Sequence, residues 1–289
     1  MKDMVSFFLT LFLIAASAVP QSATGDQLSD CSKRVVPYPE RGKIQNPVFM
    51  LDLTSPKGGR LLYIGAARHS RDPNDSEFSE FEKAWNDFKP TAAFFEGPGE
   101  LGAPSRDEAI KNDGEPGLIR FMAARDKVPA ASLEPSRQDE VNYLLTKFSA
   151  EQVKLFYVLR IIAEDRVESK LSEAELRAEV AGLLKYFSKL KGLEGVVRNT
   201  DELAAAYSRY WKTPQNWWEA PSGWFNPLKS SSQTGGVFTN EVNQASSSFR
   251  DINMYTALAK AALEGKRVFA VVGRDHIPMQ EAALRCALK

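Results

Sequence analysis

A pattern that occurs twice along the 289 residues places the strongest constraint on the fold. Residues 61–65 and 268–272 are apolar runs, and a histidine follows the end of each by four positions, His69 in one case and His276 in the other. These are the two histidines of the chain. Short apolar runs predict buried strands, and α/β proteins bind ligands outside the carboxyl ends of their strands. Each histidine alone could be structural or solvated, but the shared pattern predicts one common site.

The segments between these two runs alternate between strand-like and helix-like patterns. Residues 47–53 and 60–65 predict a hairpin around a Pro-Lys-Gly-Gly turn. Residues 91–95 and 128–133 predict two further strands, and residues 118–125 predict a short helix between them. An apolar stripe at helical spacing follows the hairpin and consists of Phe78, Phe81, Trp85 and Phe88. The order predicts an α/β fold with a mixed, largely parallel sheet flanked by helices.

The middle of the chain has a different character, which predicts a division into two parts. Residues 46–137 and 249–289 predict the α/β core, and residues 138–248 predict an α-helical insertion with two capping-box spacings. Residues 229–248 within the insertion are rich in Ser, Gly, Asn and Gln and predict a mobile polar loop. Residues 19–45 are polar and predict an irregular segment.

Four of the five tryptophans lie in one proline-interrupted segment of the insertion, between residues 211 and 225. They are Trp211, Trp217, Trp218 and Trp224. One interpretation is that they anchor the insertion onto the sheet domain. The other is that they form a wall or lid over the histidine site, because aromatic side chains commonly line ligand pockets.

The first 18 residues have the features of a signal peptide. Lys2 provides a positive start, residues 5–16 are an apolar stretch, and Ala16 and Ala18 are the small residues of a cleavage signal. The stretch is shorter than the roughly 20 residues that a bilayer span requires. We therefore expect an exported protein, periplasmic or secreted, with no membrane span.

Charge and cysteine content narrow the choice of partners and compartment. Lys plus Arg and Asp plus Glu both number 37, so the formal net charge of zero gives no support for binding to nucleic acid or to an anionic membrane. Cys31 and Cys286 lie near the two ends of the mature chain, and cysteines of exported proteins commonly pair. We expect a Cys31–Cys286 disulfide, with two unpaired thiols as the alternative. Nothing indicates the oligomeric state.

Two glutamates also follow strand-like runs, at the carboxyl ends of the predicted strands where the histidine loops also begin. They are Glu96 and Glu134. Because parallel strands bring their carboxyl ends to one edge of a sheet, His69, Glu96 and His276 could converge there. Two imidazoles and a carboxylate suit a divalent metal such as Mn, Co, Fe or Zn. The same groups without a metal could instead act as general base, orienting carboxylate and general acid.

Three charged residues near the second histidine are further candidates. Arg250 could hold a substrate carboxylate or a developing oxyanion through its planar guanidinium group. Asp251 is predicted at the start of a helix, where a negative charge is favourable. Asp275 could support His276 or could be a loop residue only.

The order of these motifs resembles the superfamily that contains the TraB/GumN/TIKI proteins, the erythromycin esterases and the ChaN-like haem-binding lipoproteins. The resemblance rests on residues 63–69, 94–97, 250–254 and 271–276. Such proteins typically have a strand followed by Gly-x-x-His, a strand-end Glu, an Arg at a helix start and a second Gly-x-x-His. This chain departs from the pattern at Ala66, where glycine is usual.

The resemblance covers residues 46–135 and 249–289 and implies an α/β fold with a helical insertion. It also implies active-site roles for His69, Glu96 and His276. The TIKI branch implies a metal-dependent protease, the esterase branch implies metal-free hydrolysis by histidine, and the ChaN branch implies haem binding.

The leading functional hypothesis is therefore an exported hydrolase that acts on an amide or ester bond of a small molecule or peptide. His69, Glu96 and His276 would bind a divalent metal or share the acid–base work, and Arg250 would stabilise charge. The alternatives are a non-catalytic protein that binds haem or another small ligand, and a family member without activity.

Overall fold

The computed structural model describes residues 22–97, 102–168 and 171–289, so the predicted signal peptide lies outside the described residues. These residues form a five-stranded sheet in the order β1-β2-β5-β3-β4. The strands are β1 (Met50–Thr54), β2 (Arg60–Ala66), β3 (Ala92–Phe95), β4 (Ala130–Ser132) and β5 (Arg267–Gly273). β1 is antiparallel to β2 and the other neighbours are parallel. The predicted α/β class with a mixed, largely parallel sheet is confirmed.

The register of the sheet brings the predicted site residues to one edge. β2 and β5 are neighbours, and Ala66 pairs with Gly273, so the two histidine loops leave the sheet side by side. β3 lies on the other side of β5, where Phe95 pairs with Val271. Glu96 therefore leaves the same edge beside the second histidine loop.

Helices cover both faces of the sheet. In chain order they are α1 (Ser22–Ser32), α2 (Ser76–Phe88), α3 (Arg106–Asp126), α4 (Arg137–Leu145), α5 (Ala150–Glu168), α6 (Glu173–Phe187), α7 (Thr200–Tyr210), α8 (Ser231–Thr234), α9 (Thr239–Leu263) and α10 (His276–Ala287). Short 3₁₀ helices occupy Tyr38–Lys43, Trp217–Glu219 and Ser222–Phe225. α3 is longer than the predicted helix at 118–125 and is kinked at Asp113 and Gly114.

The central strand β5 is buried on both faces, and its side chains alternate between two cores. Val268, Ala270 and Val272 pack with α1, α9 and α10, whereas Phe269 and Val271 pack with α2 and α3. Successive side chains of a strand point to opposite faces, which explains this alternation. An apolar run is thus what a central parallel strand requires.

Helix α9 connects the sheet core to a separate helical core. Val242 near its start packs with α5, α6 and α7, whereas Met254 and Leu258 pack against the sheet. The predicted boundary at residue 248 therefore falls inside a continuous helix of 25 residues. A rigid helix, not a linker, joins the two parts.

The prediction of a mobile loop at residues 229–248 is wrong, because this segment contains α8 and the first half of α9. Several of its polar side chains are buried and have partners. Thr239 donates to the carbonyl of Trp224 at 2.8 Å, and Asn240 donates to the carbonyl of Gly223 at 3.0 Å. These buried polar side chains satisfy backbone carbonyl groups of the irregular aromatic segment. The polar composition is therefore not the mark of a solvent-exposed loop.

The prediction of an irregular segment at residues 19–45 is also wrong for its first part, where α1 packs against α9 and α10. Cys31 of α1 and Cys286 of α10 form the predicted disulfide, with a Cα–Cα distance of 5.6 Å. Tyr255 of α9 donates a hydrogen bond to the carbonyl of Leu28 at 3.1 Å. Among the described residues, no helix is both long enough and apolar enough to span a membrane.

The tryptophan-rich segment lies in the core of the helical part. Trp211, Trp217 and Trp224 are buried, and the rings of Trp211 and Trp224 stack with centroids 5.0 Å apart. Trp218 is only partly buried and packs against the Arg177 guanidinium at 4.0 Å. The buried members hold the helices around them together.

We expect Trp224→Ala to lower the free energy of unfolding by about 3–5 kcal/mol, the usual cost of truncating a buried aromatic side chain. Trp218→Ala is the matched control and should cost less, because its ring is only partly buried. Chemical denaturation followed by circular dichroism measures both. Equal losses in the two variants would contradict this assignment of the core.

Candidate active site

His276 is held between two carboxylates at the carboxyl end of β5. It is the first residue of α10 and is 6% exposed. Its Nδ1 lies 2.6 Å from Oδ1 of Asp251 on α9, and its Nε2 lies 3.3 Å from Oε1 of Glu96. Asp251 is fully buried, and the same oxygen accepts a hydrogen bond from Gln280 at 2.7 Å. The imidazole ring therefore has a fixed orientation.

This environment makes His276 a cation at neutral pH. Burial alone lowers the pKa of its imidazole, but the charge and hydrogen bond of Asp251, together with those of Glu96, outweigh it and raise the pKa to about 10. The imidazolium donates from Nδ1 to Asp251 and forms an ion pair with Glu96 through Nε2. A neutral imidazole could donate to only one of them.

Glu96 has both carboxylate oxygens engaged. Oε2 accepts from the backbone N–H of Gly273 at 2.8 Å, and Oε1 accepts from Arg250 Nη2 at 2.8 Å as well as facing His276. Burial acts to raise the pKa of Glu96, but His276, Arg250 and the Gly273 N–H outweigh it and hold that pKa well below the ordinary value. The side chain is thus a permanently ionised partner for two cations.

Arg250 lies inside α9 and joins Glu96 to the second strand-end glutamate. Its Nε and Nη2 donate to Glu134 at 2.7 and 2.5 Å, in the bidentate geometry that suits a carboxylate. These bonds raise the pKa of Arg250 despite burial, which by itself acts to lower it. Nη1 of Arg250 makes no hydrogen bond to the described part of the chain, so its N–H groups remain for a ligand.

His69 is the exposed histidine of the site, with 68% of its side chain accessible. Its backbone has a φ of +47°, in the left-handed region, where the chain turns sharply out of β2. Nδ1 lies 3.0 Å from Oε1 of Glu115, a buried residue of α3. The nearby Glu115 carboxylate raises the pKa of His69. The kink in α3 puts Gly114 beside the loop, where an added Cβ would be 2.9 Å from the carbonyl of Ser70.

Gly273 has no side chain to separate His69 from Glu96. A Cβ at this position would lie 3.3 Å from Nε2 of His69 and 3.4 Å from Oε2 of Glu96. The free nitrogen of His69 and the carboxylate of Glu96 therefore face the same small space. Any residue larger than glycine would fill it.

Two cavities open on this space. One, of about 330 Å³, is lined by Tyr38, His69, Glu96, Gly273 and His276 among others. The other, of about 250 Å³, is lined by His69, Glu96, Gly273 and also by Arg250 and Glu115. None of the four clustered tryptophans lines either cavity. A wall or lid role for them has no support from these contacts.

Tyr38 covers His276 from the segment between α1 and β1. The two rings meet edge to face with centroids 6.5 Å apart. Burial, with a further contribution from Asp251, raises the pKa of the Tyr38 phenol, so its hydroxyl remains a proton donor. An ion pair between Arg41 and Asp275 stabilises the position of this segment.

The structure brings together the residues predicted from sequence, with two differences. His69, Glu96, His276 and Arg250 do surround one space. Asp251 was predicted at a helix start, but it lies in the interior of α9 and binds His276. Asp275 pairs with Arg41 and leaves the support of His276 to Asp251.

Sequence reasoning missed three residues of the site. Glu115, Tyr38 and Gln280 each lie in a segment with no motif around it. Only Gln280 carries a local signal, because it comes four residues after His276 on the same face of α10.

The arrangement does not fit a divalent metal at His69, Glu96 and His276, the three ligands predicted from sequence. Nδ1 of His276 lies 2.6 Å from Asp251 and Nε2 lies 3.3 Å from Glu96, while the two oxygens of Glu96 already accept from Arg250 and from the N–H of Gly273. The Arg250 guanidinium beside Glu96 would repel a metal ion. Among the described residues, no group of three or more His, Cys, Asp or Glu side chains is placed to hold one.

Comparisons of the chain with protein-family models, with curated proteins and with solved structures gave no match. The resemblance to the TraB/GumN/TIKI and erythromycin esterase superfamily therefore stays a prediction. What the site can do has to be argued from its geometry.

We expect the free energy of unfolding to fall as pH rises from about 7 to 10. The folded-state pKa of His276, about 10, is above the unfolded value of 6.5, so the native state keeps a proton that the unfolded chain loses. The stabilisation is complete below the unfolded pKa and is lost through the folded one, at about 1.4 kcal/mol per pH unit.

Denaturation at several pH values measures this slope, and His276→Gln should make it shallower. His69→Gln is the matched control, because it removes the exposed histidine and should leave most of the slope. A slope unaffected by His276→Gln would mean that this histidine is not protonated in the folded protein.

Proposed function

We propose that the protein is an exported hydrolase that cleaves an ester or amide bond without a bound metal ion. The observation that carries this proposal is the position of His69. Its Nδ1 lies 3.0 Å from the buried Glu115, while Nε2 faces the space beside Gly273 and Glu96. The cavities that open on this space are also lined by Arg250 and His276. A candidate base next to fixed positive charge is the arrangement that acyl transfer to water requires.

His69 acts as general base in this scheme. The Glu115 carboxylate, 3.0 Å from Nδ1, favours the tautomer with the proton on Nδ1. The lone pair is then on Nε2, which takes a proton from a water molecule. The water oxygen attacks the carbonyl carbon, and the electron pair of the C=O bond moves to its oxygen. When that pair returns, the bond to the alcohol or amine breaks, and the leaving group takes the proton back from His69.

The developing oxyanion needs donors that are already in place. Arg250 offers its unengaged Nη1, and Tyr38 offers a protonated hydroxyl in the same region as the His276 cation. Glu96 fixes Arg250 and His276 through the contacts at 2.8 and 3.3 Å. Groups held in this way need no reorganisation during the reaction, which is the main source of electrostatic stabilisation in enzymes.

Haem binding has less support than hydrolysis. His276 has both nitrogens engaged and is buried, so only His69 could serve as an axial ligand. The cavities of about 330 and 250 Å³ beside these residues are small and carry charged side chains.

Two features of the chain support the proposed export. The Cys31–Cys286 disulfide is compatible with an oxidising compartment, since such bonds are rare in reducing ones. The signal-peptide features of residues 1–18 point in the same direction.

A panel of p-nitrophenyl esters and anilides tests the proposed reaction. His69→Gln should lower kcat/KM by about 10²–10⁴-fold, the usual contribution of a general base. Lys83→Gln, on an exposed face of α2, is the control and should leave the rate unchanged. A chelator should have no effect on the wild-type rate.

The pH profile separates the base from a structural role. The rate should rise with pH as His69 loses its proton, and Glu115→Gln should move this rise to lower pH because it removes the group that raises the pKa. No hydrolysis of any substrate, or loss of activity on chelation with recovery on adding a divalent ion, would contradict the proposal.

A further inference from the structure

A larger cavity of about 660 Å³ adjoins the active site on the side of the helical part. Its lining includes Glu134 and Arg250, which also line the smaller cavity that contains His69. The remaining charged lining residues are Arg137 of α4, Glu140 of α4 and Arg160 of α5. A substrate whose scissile bond lies near His69 would extend into this cavity, which is of the size typical of ligand sites.

Both carboxylates of this cavity are already neutralised. Glu134 accepts two hydrogen bonds from Arg250. Glu140 is buried and accepts from Arg137 at 2.6 Å and from Ser246. Each acid therefore already has an arginine partner, which weakens its attraction for a cationic substrate.

Arg160 is the cation of this cavity that pairs with neither Glu134 nor Glu140. Its Nε donates to Glu164, a half-exposed residue outside the cavity, and its Nη1 makes only a long contact of 3.4 Å with Asn243. Nη2 makes no hydrogen bond to the residues that the structure describes. Arg250 contributes its unengaged Nη1 from the opposite, active-site end. Free guanidinium N–H groups at a cavity wall are the preferred donors to a carboxylate.

We propose that this cavity is a carboxylate-binding subsite and that the substrate is an ester or amide carrying a carboxylate away from the scissile bond. Arg160 is the specificity-determining residue, and Arg250 links the subsite to the reaction centre. This substrate class rests on the proposed hydrolysis, but the subsite itself binds anions whether or not the chemistry occurs.

Isothermal titration calorimetry with succinate at physiological salt tests the subsite without any turnover. Wild-type protein should bind succinate and should not bind its neutral diamide. Arg160→Gln should weaken succinate binding by about tenfold or more, the effect of losing one charge-assisted hydrogen bond. Arg285→Gln is the matched control, because Arg285 also pairs with a glutamate one helical turn away at 2.7 Å, and it should bind as wild type does.

The same measurement separates this proposal from the proposed function. His69→Gln should bind succinate normally, so that loss of hydrolysis and loss of the subsite are independent results. Absence of succinate binding to wild-type protein, equal binding by the Arg160→Gln variant, or tighter binding of inorganic phosphate than of succinate would overturn the proposal.

Discussion

The buried imidazolium of His276 is the interaction on which the rest of the site depends. It lies between Asp251 of α9 and Glu96 at the end of β3, so one positive charge stabilises one fully buried and one partly buried negative charge. Without it, two carboxylates and the Arg250 guanidinium would be left in an environment that penalises unpaired charge. With it, a helix, two strands and their loops are fixed relative to one another at the sheet edge.

Helix α9 transmits this constraint to the rest of the molecule. Its C-terminal half packs on the sheet, its N-terminal half packs in the helical core, and Arg250 and Asp251 lie between the two. The cavity proposed to bind a carboxylate lies at the same junction. The helical part is therefore a wall of the proposed substrate site as well as an addition to the fold, and the proposed chemistry and specificity share Arg250.

Much of the fold could be predicted because strands and helix faces have local periodicity. The runs ending near His69, Glu96 and His276 are buried strands, and parallel pairing brings their ends together. The structure of the segments at 19–45 and 229–248 could not be predicted, because it depends on tertiary contacts. α1 is held against α9 and α10 and by the Cys31–Cys286 disulfide, and Thr239 bonds to the backbone of the aromatic segment. Glu115 could not be predicted either, because its position beside His69 depends on a kink in α3. The metal hypothesis followed from residue types alone. Whether these residues can bind a metal depends on which of their nitrogen and oxygen atoms already contact other side chains.

The most direct test of this account is an NMR titration of the two imidazoles, which the His69→Gln and His276→Gln variants assign. We expect His276 to remain protonated across the neutral range with a pKa near 10, and His69 to titrate at lower pH but above its ordinary value of 6.5. Addition of Zn²⁺ or Mn²⁺ should not displace the proton of His276. A His276 signal that titrates below neutral pH, or that shifts on metal addition, would contradict the central claim.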